Sequence, residues 1–223
     1  MNIWGISGLK NSGKTEVSKM LEYLLNTPAF LHNWFCFKYI RPICKKWKLV
    51  AFADNMKQML ADLLNIKREK FDERNFKDNI YVDIATLKII ENPNILSDRQ
   101  FNKLLKDAPE SILDKHLSIR QLMQYFGTEC CQKFFGKEVW VNTIFNQTGN
   151  LIISDVRFIT EASAIKERKG KLIYVERPGT VVGNHASEQE VIELLRTNQF
   201  NIILSNTGSL KELFYQLKKK INE

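Results

Sequence analysis

The 223-residue chain is 44% hydrophobic and 26% charged, a globular composition that excludes a collagenous or disordered polypeptide. Its formal charge of +8 calls for an acidic partner, nucleic acid or polyphosphate, without choosing between them. No apolar run approaches the ~20 residues a bilayer span needs, and the opening residues MNIWGISGLKNSGKT lack the pattern of a signal peptide, so a cytoplasmic protein is the expectation.

In chain order, residues 2–7 (NIWGIS) read as a short apolar strand. Residues 14–25 read as an amphipathic helix with Val17, Met20, Leu21, Leu24 and Leu25 on one face. Between them, Gly8-Leu9-Lys10-Asn11-Ser12-Gly13-Lys14-Thr15 satisfies G-x-x-x-x-G-K-[ST]. Each residue type has a reason. Gly8 and Gly13 permit backbone angles and a close approach that a Cβ blocks. The backbone N–H groups across Lys10, Asn11 and Ser12, with the helix N-terminus, wrap phosphates in fixed positive dipoles. Lys14 reaches the β- and γ-phosphates, and the Thr15 hydroxyl coordinates Mg²⁺. The guanine signature N-K-x-D is absent: Asn102-Lys103-Leu104-Leu105-Lys106-Asp107 has the wrong spacing.

Residues 48–53 (KLVAFA) read as a second strand, and about 54–65 as a helix with Asp54 at its N-cap. The polar region 66–117 reads as a helical insertion with loops. Ser118 with Gln121 forms a capping box before a helix to about Phe135, and another helix spans roughly 138–146. The last third alternates cleanly: strand 151–154, helix 159–169, strand 171–176, strand 201–205, and a helix over 209–221 capped by Ser209. Ser187 with Glu190 is a further capping-box pattern beside His185. Apolar strands alternating with helices predict an α/β fold, an open, doubly wound, five-stranded parallel sheet of the P-loop NTPase kind.

Asp155 ends the apolar strand LIIS, where the acid of an open α/β sheet meets the phosphate loop and can hold Mg²⁺. Arg157, two residues on, is a candidate phosphate contact, and Arg41, Arg120 and Arg177 also fall at element ends. Cys36, Cys44, Cys130 and Cys131 form no C-x-x-C pair, and His32, His116 and His185 lie far apart, so neither a zinc site nor a disulfide framework is expected.

These residues, taken in order, resemble the deoxynucleoside monophosphate kinases of bacteriophages and related viruses. The ordered set is the phosphate loop; Phe52-Ala53-Asp54 with Lys57; Gln124-Tyr125-Phe126-Gly127-Thr128-Glu129; Trp140-Val141-Asn142; Asp155-Val156-Arg157-Phe158 with Glu161 and Ala162; Arg177-Pro178; His185 with Ser187-Glu188; and Asn206-Thr207-Gly208-Ser209-Leu210. The resemblance implies one kinase domain over 1–223, with a helical monophosphate-binding insertion over about 54–147 and a lid over about 177–188. It implies transfer of the γ-phosphoryl group of ATP, with Mg²⁺, to a deoxynucleoside monophosphate. Asp54, Lys57, Arg120, Gln124, Gly127, Thr128 and Glu129 would then face the monophosphate. Arg157 would act with Lys14 and Asp155 on the transferring group, and Arg177 would belong to the lid. Trp140 reads as core on its size and as a base-stacking residue under the resemblance. The stretch from Asn206 reads as a strand-to-helix turn outside the site.

The chain departs from that pattern at Thr15, where the family often has Asp, and at Gln132, where a basic residue usually stands. Ile159-Thr160 replaces a common Pro-Asn. Two other readings stand beside this one: another small-molecule P-loop kinase with a phosphorylated acceptor, and a nucleic-acid-dependent ATPase. Stable nucleic-acid binding and membrane association are not expected, and dimerisation is left open.

Overall fold

The computed structural model describes residues 1–90, 96–107, 111–112, 115–180 and 186–223. The chain divides into two compact units, one formed by Met1–Phe52 with Ile144–Glu223 and the other by Ala53–Thr143.

The first unit opens with β1 (Ile3–Ser7), α1 (Lys14–Leu25), α2 (Trp34–Tyr39) and β2 (Trp47–Val50). The second unit then runs through α3 (Asp54–Leu64), α4 (Arg74–Asn79), β3 (Tyr81–Asp83), β4 (Lys88–Ile90), α5 (Asp98–Asp107), β5 (His116–Ser118), α6 (Ile119–Tyr125) and α7 (Lys133–Phe135). Helix α8 (Val139–Phe145) leads back to the first unit, which closes with β6 (Asn150–Val156), α9 (Ile159–Glu167), β7 (Lys171–Glu176), α10 (Ala186–Arg196), β8 (Ile202–Ser205) and α11 (Leu210–Ile221).

The first unit is built on a five-stranded sheet in the order β2-β6-β1-β7-β8, every neighbouring pair parallel. This is the open parallel α/β sheet the sequence predicts. Strand periodicity sends Trp4 and Ile6, Ile173 and Val175, and Ile202 and Leu204 to one face. There they pack on Val17, Met20, Leu21 and Leu24 of α1 and on Leu213, Phe214 and Leu217 of α11. Each such buried aliphatic or aromatic side chain contributes about 1.5–3 kcal/mol of transfer free energy. Leu9, Tyr174 and Val191 form a second, smaller cluster. The end of α1 is tied to the sheet by buried Asn26, whose side chain accepts from the Trp47 N–H (2.8 Å) and donates to the Trp47 carbonyl (2.9 Å). Strand β2 stops at Val50, three residues before its predicted end, because the Phe52 N–H leaves the ladder and donates to Asp155 (2.9 Å).

The second unit is not wholly helical. Inside the region predicted as helices and loops, β3, β4 and β5 form an antiparallel sheet in the order β4-β3-β5. Each strand is three residues long, too short for alternation to register in a sequence window. Buried Leu60, Phe71, Val82, Phe101, Leu117, Ile119 and Leu122 supply its interior. The Ser118 capping box forms as predicted, Ser118 accepting from the Gln121 N–H while the Gln121 side chain accepts from the Ser118 N–H. The helix it starts runs on through a π-helical stretch, Phe126–Gln132, into α7. Among the described residues, no helix is long and apolar enough to cross a membrane.

Candidate active site

In the first unit, the turn between β1 and α1 is a cradle shaped by its glycines. Gly8 has φ +151°, and a Cβ there would lie 2.5 Å from the Val175 carbonyl oxygen; Gly13 has φ +104°. No other residue type adopts this path without strain. Asn11, at the loop tip, takes a left-handed φ of +63°, which asparagine tolerates. Lys10 donates its N–H to Glu188 of α10 (3.3 Å), and the Asn11 carbonyl accepts from the Arg177 guanidinium (3.4 Å). Ser12 is buried, and among the described residues its hydroxyl has no hydrogen-bond partner. A glycine loop that opens a helix N-terminus, with a buried hydroxyl unmatched among the described residues, has the shape and polarity to hold an anion.

The Lys14 ammonium lies over this loop and donates to the carbonyls of Gly8 (2.8 Å) and Leu9 (2.7 Å). Burial lowers its pKa to about 8, helped by Arg157 and opposed by the carboxylates of Glu188 and Asp155. Lys14, Asp155, Arg157 and Glu188 therefore share one electrostatic neighbourhood. Asp155, on β6, and exposed Thr15 supply a carboxylate and a hydroxyl, the hard oxygen donors Mg²⁺ takes alongside phosphate oxygens and water. Among the described residues, no three His, Cys, Asp or Glu side chains converge as a metal-binding group. The described cysteines carry free thiols.

The backbone at Arg157 is held by a group the sequence showed only as part of a motif. Glu161, buried at the third position of α9, accepts from the N–H groups of Arg157 (2.7 Å) and Phe158 (3.0 Å). Burial and then the Asp155 charge push its pKa up to about 8, against the lowering effect of those hydrogen bonds. The next donor, the Ile159 N–H, is taken by Glu190 (2.8 Å). Glu190 thus serves the start of α9 from its place in α10. Arg177 is exposed at the end of β7, and the turn after it is closed by the Thr180 hydroxyl donating to the Arg177 carbonyl (2.7 Å). Residues 181–185 of the predicted lid, His185 among them, lie outside the described residues.

In the second unit, Asp54 and Lys57 come together in an ion-pair network. Asp54 is the first residue of α3, with Ala53 as N-cap, because its carboxylate is drawn to Arg68 (2.6 Å). Lys57 pairs with Asp72 (2.8 Å), which Arg68 also meets (2.9 Å). Burial alone would raise the Asp72 carboxyl, yet Lys57 and then Arg68, both hydrogen-bonded to it, hold it below its ordinary value. Arg120 pairs with Asp78 (2.5 Å). Half-buried Lys77 is lowered first by burial, then by the charges of Lys57 and Arg120. Four cations, Lys57, Arg68, Lys77 and Arg120, thus gather around three carboxylates. Arg68 and Lys77 were missed from sequence, where nothing in the polar insertion sets them apart from surface residues.

The Gln124–Glu129 motif does not gather at this cluster. Gln124 donates to Asn102 (3.4 Å), and Thr128 is exposed. Glu129 lines a groove of about 600 Å³ with Met59, Phe126, Phe134 and Phe135. Gly127 sits in the π-helical stretch facing Met56, whose sulfur would lie 2.8 Å from a Cβ added there. Its carbonyl accepts from the indole N–H of buried Trp140 (3.3 Å). Trp140 is therefore held inside the unit by its polar edge as well as its apolar body.

A family model described as deoxynucleotide monophosphate kinase matches residues 2–217. The chain is 26% identical over 234 residues to a protein of Acanthamoeba polyphaga mimivirus provisionally named for that activity, covering 97% of this chain and 94% of the relative. It is 29% identical over 247 residues to the deoxynucleotide monophosphate kinase of Enterobacteria phage T4, covering 99% of both. Among solved structures, shikimate kinase from Acinetobacter baumannii matches with 13% identity and a TM-score of 0.41, over 99% of this chain and 92% of that one, a likeness too loose to bear on function.

Proposed function

Since the chain belongs to the deoxynucleotide monophosphate kinase family, we propose that it transfers the γ-phosphoryl group of ATP to a deoxynucleoside monophosphate, giving ADP and the diphosphate. The observation that carries this reading is the glycine cradle closed by Lys14, set in a chain matched by that family over nearly its whole length.

Phosphoryl transfer asks little proton chemistry of a protein; it asks for alignment and for cations around oxygens that gain charge. In our reading, the backbone of Gly8 to Gly13 holds the ATP phosphates. Lys14, now resting on the loop carbonyls, exchanges those neutral acceptors for the β- and γ-phosphate oxygens, which are stronger ones. Its lowered pKa returns upward beside that negative charge. Arg157 and Arg177 neutralise charge at the transferring group. Thr15 and Asp155 would hold Mg²⁺, which supplies Lewis-acid neutralisation of the phosphate oxygens.

For the acceptor, Asp54, Lys57 and Arg120 are assigned to the monophosphate, joined by Arg68 and Lys77 from the same cluster. A phosphate dianion suits a cluster whose cations already repel one another. Gln124, Thr128 and Glu129 are assigned to the nucleoside. Gly127 and Trp140 shape that wall from within, by the hydrogen bond between them. This reading needs small-molecule partners only, and it places the enzyme in a cytoplasm, where ATP and nucleotides are.

The test is ADP release from ATP and Mg²⁺ against a panel of deoxynucleoside and ribonucleoside monophosphates, with Lys14→Ala as control. Turnover that depends on a deoxynucleoside monophosphate and vanishes in the control supports the reading. Turnover stimulated by DNA, or only by another phosphorylated metabolite, overturns it.

A further inference from the structure

The turn after β8 begins at Asn206, a residue that the phosphoryl-transfer reading leaves idle. Its backbone N–H donates to the Glu176 carbonyl at the end of β7 (2.7 Å). Its side-chain amide reaches across 194 positions of sequence and donates to the Ser12 carbonyl (2.8 Å). The amide nitrogen, and not the oxygen, must face Ser12, because a carbonyl can only accept. Contact is close enough that a Cβ on Gly13 would lie 2.6 Å from that nitrogen. Asn206 therefore packs against the Gly13 backbone and grips the peptide that precedes it.

A trans peptide is planar, so its C=O and N–H point in opposite directions. Fixing the Ser12 carbonyl toward Asn206 fixes the Gly13 N–H away from it. Backbone N–H groups of such a loop are the donors that meet phosphate oxygens. A free loop carrying left-handed Asn11 and Gly13 has several ways to turn that peptide plane, and each of the others loses a donor. We infer that Asn206 is a positioning residue of the phosphate loop: its side-chain amide locks the Ser12–Gly13 peptide so that the Gly13 N–H is presented to the bound triphosphate. The inference rests on the nucleotide-binding reading of the loop but on no assignment of the acceptor.

The experiment measures binding of inorganic tripolyphosphate, and separately of ATP, by titration calorimetry. The proteins are wild type, Asn206→Ala and Asn206→Asp. Aspartate keeps the shape of asparagine and lacks the donor. Both variants should weaken tripolyphosphate and ATP by the same factor, about 10-fold, the effect of one misdirected donor to a charged acceptor. The KM for the monophosphate should stay put. ATP weakened with tripolyphosphate unchanged would mean that Asn206 touches the nucleoside, and would overturn the proposal. So would Asn206→Asp binding like wild type, or a loss no larger than the loss of folded fraction measured by circular dichroism. A wild-type protein that binds tripolyphosphate but phosphorylates no deoxynucleoside monophosphate would sink the acceptor assignment and leave this test intact.

Discussion

The carboxylate of Glu161 accepts a 2.7 Å hydrogen bond from the backbone N–H of Arg157, so the start of α9 and the end of β6 are pinned by one buried acid. That acid releases its proton near pH 4.5 in the unfolded chain and near 8 in the folded one, because burial and then Asp155 disfavour its charge. Between those values the folded state binds more protons than the unfolded state, so the contribution of Glu161 to stability falls as pH rises through the window. Glu161→Gln still accepts from both N–H groups but does not titrate. Its urea midpoint should lose a decline between pH 5 and pH 8 that the wild type shows; parallel profiles would contradict the assignment.

Gly8→Ala should be the most damaging change in the cradle. A methyl group 2.5 Å from the Val175 carbonyl cannot be accommodated by a side-chain swing, since the obstacle is backbone of the central sheet. With an unfavourable φ added, the cost should be several kcal/mol, at the severe end for point substitutions. Thermal denaturation and ATP binding should fall together. A variant of wild-type stability that binds ATP normally would mean that the turn is drawn wrongly.

Gly127→Ala sets a contrast. The obstacle there is a Met56 sulfur, part of an unbranched and adaptable side chain. Replacing a helical glycine with alanine gains about 1 kcal/mol, which offsets the repacking. Stability should change by less than about 1 kcal/mol in a urea titration. If catalytic efficiency nonetheless falls ten-fold or more, the motif works on substrate; if activity is retained, Gly127 serves packing beneath Trp140.

The cation cluster of the second unit can be tested one charge at a time. Its ion pairs are partly solvated, and such pairs add about 0–1 kcal/mol to stability. Arg68→Ala and Arg120→Ala should therefore melt near the wild type while raising the KM for the monophosphate at least ten-fold and leaving the KM for ATP alone. Steady-state kinetics with each substrate varied in turn separates these effects. An equal rise in both constants would remove the cluster from the acceptor site.

What the sequence made legible follows the range of the interactions involved. The glycine motif of residues 8–15 is a contiguous pattern whose residue types answer to local backbone geometry, and its turn lies between β1 and α1, where it was read. The capping box at Ser118 and the N-cap at Ser209 are equally local, and both are present. Strands β6 and β7 carry apolar runs, Leu151 to Ile153 and Leu172 to Val175, that are buried on both faces, so they stood out, as did the short apolar β8. By contrast, β3, β4 and β5 are three residues each and exist only through pairing with one another. Asp54 looked like an N-cap because sequence cannot show Arg68, fourteen residues on, drawing its carboxylate away. Asn206 gave no sign of its reach to Ser12, since a contact across 194 residues leaves no spacing to read.

The central claim is that the γ-phosphoryl group passes from ATP to a deoxynucleoside monophosphate on this chain. ATP labelled at the γ-phosphorus, incubated with Mg²⁺ and each deoxynucleoside monophosphate, tests it most directly once products are separated by chromatography. Label in a deoxynucleoside diphosphate, absent with Lys14→Ala, is the predicted result. Label found only as inorganic phosphate, with every monophosphate unchanged, would contradict it.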